Sequence, residues 1–444
     1  PIVLTSGNVS DEPIAYRDED AAARLAGIAD AFLTHDRPIH VRMDDSVVRP
    51  LLGRPMVLRR ARGYVPDPVP LPAVAPRPVL ACGAELKNTF CLAKGRHAFV
   101  SQHIGDLENY ETLRSFTDGI DHFRRLFDVD PALVAHDLHP EYLSTKHAMA
   151  MAERDGRLVL VGVQHHHAHI ASCLADNGES GPVLGVALDG LGHGTDGTLW
   201  GGEFLLADLV SARRLGHLDP VPLPGGAAAI RQPWRMALAY LDAAFADAVP
   251  QALNVVQRNE SRWPDVLGLA RAGVNAPLTS SAGRLFDAVS ALLGLRDTIN
   301  YEGQAAIDLE QLADPAEPGA YRARVTGSSP LRVTGADLVR AAADDVLADV
   351  PPAVVAARFH NGVVDAVVRA CRRLRDDTGV PTVAMSGGVF QNVLLLTRTV
   401  ERLRDSGFRV LTHARVPTND GGISLGQAAV AAARDRAGRC ATCC

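Results

Sequence analysis

The sequence has no long apolar run, no excess of positive charge and no leader-like start. No stretch reaches the roughly 20 apolar residues that span a bilayer, and no basic segment followed by an apolar one opens the chain. The formal net charge of -6 argues against a surface that binds nucleic acid. We therefore expect a cytoplasmic chain with neither a nucleic-acid partner nor a membrane partner.

Cysteines are few and do not form a paired framework. The seven cysteines are an odd number, and they are scattered except for Cys440, Cys443 and Cys444 at the end. This pattern indicates free thiols in a reducing compartment, with metal binding or disulfides at the tail as the alternative. An initiator methionine is also missing, and Pro1 lies inside a strand-like run. The sequence therefore reads as the C-terminal part of a longer protein.

Length and patterning predict an α/β chain of more than one domain. The 444 residues allow two or three domains, and 47% hydrophobic with 22% charged residues is typical of a globular protein. Residues 1–65 read as the end of an α/β domain, and 66–78, with six prolines, as a linker. A second domain is predicted over 79–437, followed by a cysteine-containing tail at 438–444.

Apolar residues at helical spacing predict helices over 19–33, 108–127, 280–292 and 351–378. Buried strands are predicted at 158–163, 183–189 and 382–385. Strands and helices alternate, which favours an α/β fold.

Four histidines fall within five positions at 165–169, between a strand-like run and a helical one. If the helix begins near His165, then His165 and His169 lie one turn apart on one face and can reach one ion. Imidazole suits zinc, iron or nickel better than magnesium. The alternative is a polar helix start with one or two core histidines.

Two aspartates stand beside glycines at the ends of predicted elements. Asp189 closes a buried strand, and Asp420 precedes the last helix. Carboxylates in such places hold metals or phosphates, although ordinary turn aspartates look the same. The sequence predicts that both could join His165 and His169 around one cation.

Polar, glycine-containing loops offer places for a ligand. The pair Gly387-Gly388 lies between a strand and a helix, where the backbone can approach a bound molecule. Ser6 and Asn8 follow a short strand-like run and could hold a nucleotide or a small polar ligand. An ordinary polar loop at the end of a strand explains these last two residues equally well.

Taken together, these stretches resemble the C-terminal half of the HypF family, the carbamoyltransferases of nickel–iron hydrogenase maturation. The resemblance covers nearly the whole chain and is carried by residues 83–90, 101–109, 137–140, 142–145, 165–169, 199–203, 301–306, 386–392 and 419–424. It implies the end of a YrdC-like domain, followed by a two-lobed domain of the actin, sugar-kinase and Hsp70 type with duplicated mixed sheets and a central cleft.

The resemblance also implies a set of site residues. The family's metal ligands match His165, His169, Asp189 and Asp420, and the first three would form the transfer site. The expected nucleotide-binding residues are Lys87, Asn88 and Gly190 near the phosphates, Gly387, Gly388 and Asn392 near the adenosine, and Ser6 and Asn8 in the YrdC-like part.

The implied activity is ATP-dependent carbamoyl transfer. Carbamoyl phosphate is the donor, carbamoyl adenylate the activated form, and the C-terminal cysteine of a HypE-type protein the acceptor. The cofactors would be ATP or carbamoyl adenylate and one divalent metal, iron or zinc. The attacking thiolate comes from the acceptor, so this chain needs no nucleophile of its own.

The family's acylphosphatase domain, zinc-finger-like region and first half of the YrdC-like domain have no counterpart in this sequence. The chain is thus expected to hold the transfer site but not to use carbamoyl phosphate itself. Three alternatives stay open: an O-carbamoyltransferase of antibiotic or sugar hydroxyls, a tRNA threonylcarbamoyltransferase, and a non-catalytic fragment that binds ATP and metal. The acidic balance counts against the tRNA enzyme.

Overall fold

The computed structural model describes residues 4–9 and 12–440. The chain divides into two compact units. The first unit joins the chain up to Ser180 to the segment that starts at His413, and the second runs over Gly181–Thr412. Both boundaries fall inside the span 79–437 that the sequence suggested as one domain.

The first unit is an α/β structure with a small separate hairpin. Its strands are β1 (Val47–Leu51), β2 (Arg54–Arg59), β3 (Val69–Ala81), β4 (Cys91–Val100), β5 (Leu133–Asp137) and β6 (Val159–Val163). Its helices are α1 (Asp18–Arg24), α2 (Tyr110–Phe127), α3 (Leu143–Arg154), α4 (His165–Asp176) and α14 (Ile423–Arg436). The main sheet has the order β4-β3-β5-β6, with β3 antiparallel to β4 and parallel to β5.

Aromatic and aliphatic side chains from the strands, from α2 and from the loops between them build a core of the first unit. Phe90 packs edge-to-face against Phe116 and Phe123 of α2, with ring centroids 6.1 and 5.1 Å away. Leu80 and Val134, from two neighbouring strands, are fully buried beside them. Burial of such rings and aliphatic chains supplies most of the stabilisation that fixes the sheet.

The proline-rich segment 66–78 is largely strand and not a linker. Most of it belongs to β3, which pairs with β4 at Val69↔Ala98 and Pro70↔His97. The ladder then slips between Pro70 and Ala75 and again before Val79. Proline lacks an N–H, so it is tolerated where the ladder is interrupted.

The N-terminal part differs from the sequence-based expectation. The predicted helix over 19–33 is present only as α1, which ends at Arg24 and has no buried residue. Without an apolar face to bury, a longer helix gains nothing from packing. Pro1, and Cys443 and Cys444 of the tail, lie outside the described residues, whereas Cys440 is buried.

The second unit is built on a nine-stranded mixed sheet. Its strands are β7 (Val183–His193), β8 (Leu199–Ala207), β9 (Ala212–Leu218), β10 (Val221–Pro222), β11 (Leu278–Thr279), β12 (Val325–Thr326), β13 (Leu331–Val333), β14 (Thr382–Ser386) and β15 (Arg409–Leu411). The main order is β12-β13-β9-β8-β7-β14-β15. β7, β8 and β9 form an antiparallel meander, whereas β14 is parallel to both β7 and β15.

Helices cover this sheet. They are α5 (Ala227–Arg231), α6 (Trp234–Phe245), α7 (Asn254–Arg258), α8 (Trp263–Ala272), α9 (Ala282–Leu292), α10 (Gln304–Leu312), α11 (Gly335–Leu347), α12 (Pro352–Thr378) and α13 (Val393–Asp405). The predicted capped start of α9 is confirmed, because Ser281 accepts the N–H of Arg284 and Phe286 is buried. Mixed sheets with covering helices confirm the α/β class. None of the described helices is long and apolar enough to cross a membrane.

Candidate metal centre

Helix α4 presents the histidine cluster at its first turn. It begins at His165, as the sequence predicts, because the side chain of Gln164 accepts the N–H of His167 and caps the helix. All twelve residues of α4 are buried, so the four imidazoles are shielded from solvent. Burial of four imidazoles at one helix start costs free energy unless their nitrogens form hydrogen bonds or bind a ligand.

Three predicted metal ligands of the first unit converge. The Nε2 atoms of His165 and His169 lie 3.6 and 3.5 Å from Oδ1 of Asp420. Two ligands bound at roughly 2.0–2.1 Å to a tetrahedral ion stand about 3.4 Å apart, so these separations suit a shared cation. Two imidazole nitrogens and a carboxylate oxygen are a donor set for zinc or iron. The residues therefore fit a transition-metal ion.

A buried carboxylate orients the first of these histidines. Asp137, at the end of β5, accepts a hydrogen bond from Nδ1 of His165 at 2.8 Å, and neither side chain is exposed. Its other oxygen accepts the N–H of His139 at 2.9 Å. A carboxylate accepts here, so Nδ1 of His165 carries the proton and Nε2 keeps the lone pair that binds a metal.

Asp137 contacts a predicted metal ligand, although its place in the sequence indicated no role for it. Its signal was the same as that of Asp189: a carboxylate at the end of a buried strand, within the quoted stretch 137–140. Pairing of Asp137 with a residue 28 positions later could not be deduced from spacing.

Close packing of α14 on α4 brings Asp420 to the histidines. A Cβ at Gly426 would lie 1.9 Å from the carbonyl oxygen of Ala168, so only glycine allows this approach. Asp420 begins the short 3₁₀ turn ahead of α14, and Asn419 caps that turn by accepting the N–H of Gly421. The two helices and this turn thus set the position of the carboxylate.

The far end of α4 holds the chain segment that leads to Asp420. Asp176, the last residue of α4, accepts the N–H groups of Ala414 at 2.7 Å and Arg415 at 3.0 Å. Burial raises the pKa of Asp176, whereas burial and the nearby His169 lower the pKa of His413 to about 3. His413 is therefore neutral at pH 7 and adds no charge to the cluster.

The loop that contains Lys87 packs against the 3₁₀ turn at Asp420 and the start of α14. The hydroxyl of Thr89 donates to the carbonyl of Gly421 at 3.0 Å and lies 2.7 Å from the hydroxyl of Ser424. Lys87 adopts φ 47°, and its N–H is held by Asp106. Positive φ in a lysine is an unusual conformation that surrounding contacts must maintain.

Asn88, expected near a nucleotide, is fully buried. Its amide nitrogen donates to the carbonyls of Cys82 and Ala84, at 2.9 and 2.6 Å. It therefore shapes the loop from within. Ser6 and Asn8 are hydrogen-bonded to each other at 2.8 Å, in a coil near the start of the described chain.

In the second unit, Asp189 and the glycine pair are joined directly. Oδ1 of Asp189 accepts the N–H of Gly388 at 2.7 Å. Gly387 has φ 106°, and a Cβ there would lie 2.2 Å from the carbonyl oxygen of Leu188. β7 does not end at Asp189 but continues to His193, with a register shift between Leu188 and Gly192. The carboxylate therefore lies at an irregularity inside the strand.

A serine and a buried glutamate support this irregularity. The hydroxyl of Ser281 donates to the carbonyl oxygens of Asp189 and Gly190. Next to it, Ser280 donates to Glu203, which is fully buried and also paired with Arg214 at 2.7 Å. Glu203 lies in the quoted stretch 199–203, but no sequence signal pointed to its contact with Ser280.

Asn392, expected near adenosine, caps α13 by accepting the N–H of Leu395. The residue is 8% exposed, and its amide nitrogen lies 2.9 Å from Nε2 of His360. Asn392 is thus held between α13 and His360, directly after the glycine turn.

Comparison with known proteins assigns most of the chain to one family. Residues 185–427 match the family described as carbamoyltransferase, Kae1-like domain, second subdomain. Residues 75–176 match the HypF Kae1-like domain, and residues 1–61 match the Sua5, YciO and YrdC family, described as telomere recombination. The chain belongs to the HypF carbamoyltransferase family. The resemblance read from the sequence motifs is thereby confirmed.

Curated HypF proteins align with almost the whole chain. Carbamoyltransferase HypF2 of Cupriavidus necator is 44% identical over 98% of this chain, and HypF of Rhodobacter capsulatus is 43% identical over 98%. The chain spans 56% and 57% of the length of these two relatives. It thus covers little more than half of each of these two proteins.

A solved HypF structure has the same fold. The crystal structure of full-length HypF in the phosphate- and nucleotide-bound form superposes with a TM-score of 0.91 at 41% identity. The superposition covers 97% of this chain and 67% of that one.

Proposed function

We propose that this chain carries the carbamoyl-transfer site of a HypF-type maturation enzyme. In this proposal it passes a carbamoyl group from carbamoyl adenylate to the C-terminal cysteine of a HypE-type acceptor, in the cytoplasm. The observation that carries the proposal is the convergence of His165, His169 and Asp420 at separations suited to one cation. Membership of the HypF family supplies the reaction class.

The four predicted ligands have distinct roles in this proposal. His165 and His169 offer Nε2 lone pairs, of which the first is fixed by Asp137, and Asp420 offers a carboxylate. Asp189, which matches the family pattern, is proposed as the fourth ligand. A bound zinc or iron ion would act as a Lewis acid on the phosphate of the adenylate.

Nucleotide binding by this chain is part of the proposal. It is supported by the nucleotide-bound form of the HypF relative and by two backbone features. Gly387 lies in a turn where a Cβ would overlap the carbonyl oxygen of Leu188, and a backbone without a side chain lets a ligand approach closely. The Lys87 loop offers a cation on a constrained backbone.

The attacking thiolate is proposed to come from the acceptor. Its sulfur bonds to the carbamoyl carbon, the bond from that carbon to the phosphate oxygen breaks, AMP leaves, and the thiol proton passes to solvent. Three of the chain's own described cysteines are poor nucleophiles, which agrees with a thiolate supplied by the acceptor. Burial raises the pKa of Cys82, Cys91 and Cys371 to about 12, so little thiolate exists at pH 7.

The test is the intact mass of the acceptor. The chain is mixed with chemically prepared carbamoyl adenylate, a divalent metal and a HypE-type protein. A carbamoyl increment is expected with the wild type and is expected to disappear with His165→Ala and with the acceptor Cys→Ala. His97→Ala is the matched control, because His97 is exposed on β4 and should leave the increment intact.

Three results would point elsewhere. An increment that survives His165→Ala would contradict the assigned site. No increment, where a full-length homologue succeeds in the same mixture, would favour a fragment that binds ATP and metal without transfer. Carbamoylation of a sugar hydroxyl instead of the acceptor thiol would indicate an O-carbamoyltransferase. Carbamoyl phosphate as the ultimate donor is a separate expectation that this mixture bypasses.

A further inference from the structure

A buried histidine behind the glycine turn has a defined protonation state. His360 lies in the middle of α12 and is fully buried. Its Nδ1 is 2.7 Å from the carbonyl oxygen of Ala356, and because a carbonyl only accepts, Nδ1 carries the hydrogen. Its Nε2 is 2.9 Å from the amide nitrogen of Asn392 and therefore accepts. The ring is a neutral Nδ1–H imidazole.

The Asn392 side chain is held at both ends. Its amide nitrogen donates to His360, and its carbonyl oxygen accepts the N–H of Leu395 at 2.9 Å, which caps α13. Each contact requires the same amide orientation. The backbone N–H of Asn392 also donates to Val389 at 3.1 Å, so the residue closes the turn that begins at Gly387.

That turn holds the carboxylate proposed to bind metal. Gly388 donates its N–H to Asp189 at 2.7 Å. Gly387 packs against Leu188 so tightly that a Cβ would lie 2.2 Å from its carbonyl oxygen. A continuous path of hydrogen bonds and close contacts therefore runs from His360 through Asn392 and the turn to Asp189.

We propose that His360 is a positioning residue, which fixes Asn392 and through it the Gly387–Gly388 turn that binds nucleotide and orients Asp189. No sequence motif used above included His360. The inference deepens the proposed function and rests on it where nucleotide binding is concerned.

The surroundings keep the imidazole in this state. Its ring lies 5.2 and 5.9 Å from the rings of Phe286 and Phe359, both edge-on. Burial lowers the pKa of His360 to about 4, so the acceptor on Nε2 is available at pH 7. Glu310 and Arg398 are charged groups that influence this pKa, and Glu310 itself accepts the N–H of Val393 at 2.9 Å.

Two substitutions of His360 by amide residues distinguish the role of Nε2 from the role of Nδ1. In His360→Gln the side-chain oxygen can reach the place of Nε2 and still accept from Asn392. In His360→Asn the side chain can replace only Nδ1 and stops short of Asn392. Both variants bury one amide, so a merely structural loss would affect them alike.

The readouts are amide hydrogen exchange over residues 386–395 and the Kd for a non-hydrolysable ATP analogue. We expect exchange in the turn to be about tenfold faster in His360→Asn and within about threefold of wild type in His360→Gln. Exchange in α2 of the first unit should not change in either variant. The Kd should rise about fivefold or more in His360→Asn alone. A change of this size corresponds to the net free energy of one hydrogen bond.

Equal exchange in the turn for both variants, whether fast or slow, would overturn the proposal. If wild type fails to bind the analogue, the proposed nucleotide site is wrong, and the exchange comparison still decides whether His360 positions the turn. Should exchange differ as expected while the Kd stays the same in all three proteins, the assigned role in nucleotide binding would be refuted.

Discussion

At the scale of single residues, the proton on His165 decides whether the cluster can bind metal. A neutral imidazole has one nitrogen with a free lone pair. Asp137 accepts the hydrogen of Nδ1 and so leaves the lone pair on Nε2. Nε2 is then the atom that faces Asp420. The carboxylate also limits rotation of the ring, because its second oxygen is held by the N–H of His139. Such orienting partners raise the affinity of a histidine ligand.

Asp137→Asn should weaken metal binding by about 10–100-fold. The substituted amide keeps the volume of Asp137 but no longer imposes one tautomer on His165. Zn²⁺ affinity is measured by competition with a chromophoric chelator. Asp155→Asn is the control, because Asp155 lies at the end of α3, is partly exposed and pairs only locally with Arg157.

Unchanged Zn²⁺ affinity in Asp137→Asn, in a protein that melts at the wild-type temperature, would mean that His165 is oriented without this carboxylate. Weaker binding in Asp155→Asn would indicate a general loss of folded protein.

At the scale of elements, the contact between α4 and α14 carries the site. Gly426 meets the backbone of α4 at Ala168, and Gly422 lies next to the hydroxyl of Ser172. Side chains at these positions would push the helices apart, and Asp420 would move away from the histidines. The geometry of the cluster therefore depends on two backbones in near contact.

Gly426→Ala should destabilise the protein by about 3 kcal/mol or more, because the added methyl group overlaps the backbone of Ala168. Zn²⁺ binding should be lost with it. Gly268→Ala in the interior of α8 is the matched control, since no atom lies within 4 Å of its Cβ position. The control should be neutral or stabilise by about 0.5–1 kcal/mol. Chemical unfolding measures both, and a stable Gly426→Ala variant would disprove the close packing.

Elements with strong patterns were predictable from the sequence. The periodicity of α12 gave its start within one residue, and the capping pattern of α9 gave its start within two. The proline-rich stretch was not predictable, because proline density signals a linker unless a neighbouring strand tolerates gaps in its ladder, as β4 does. The helix predicted over 19–33 failed because propensity without a buried face is insufficient.

At the scale of the whole molecule, buried neutral histidines make stability depend on acid. The pKa values of His360 and His413 fall from 6.5 to about 4 and about 3, in both cases mainly through burial. Below pH 6.5 the unfolded chain binds protons that the folded chain does not, so folded-state stability falls as pH decreases. The loss continues down to the folded-state pKa of each residue.

Between pH 7 and pH 5, each of these histidines should cost about 2 kcal/mol of unfolding free energy. His360→Gln removes one of the two, so its loss of stability over this range should be smaller by about 2 kcal/mol. Denaturant unfolding at both pH values, with a chelator present, measures the difference. The same loss in wild type and His360→Gln would show that His360 titrates normally in the folded state.

The sequence by itself determined the family, the α/β class and the identity of the metal-ligand candidates. Local rules suffice for these: a cap and an i, i+4 spacing put His165 and His169 on one helix face. Only the tertiary structure decided that Asp420 reaches them, that Asp137 sets the tautomer of His165, and that His360 stands behind the glycine turn. These contacts join residues 28 to 255 positions apart. Such distances are bridged by packing of whole elements, which no local spacing encodes.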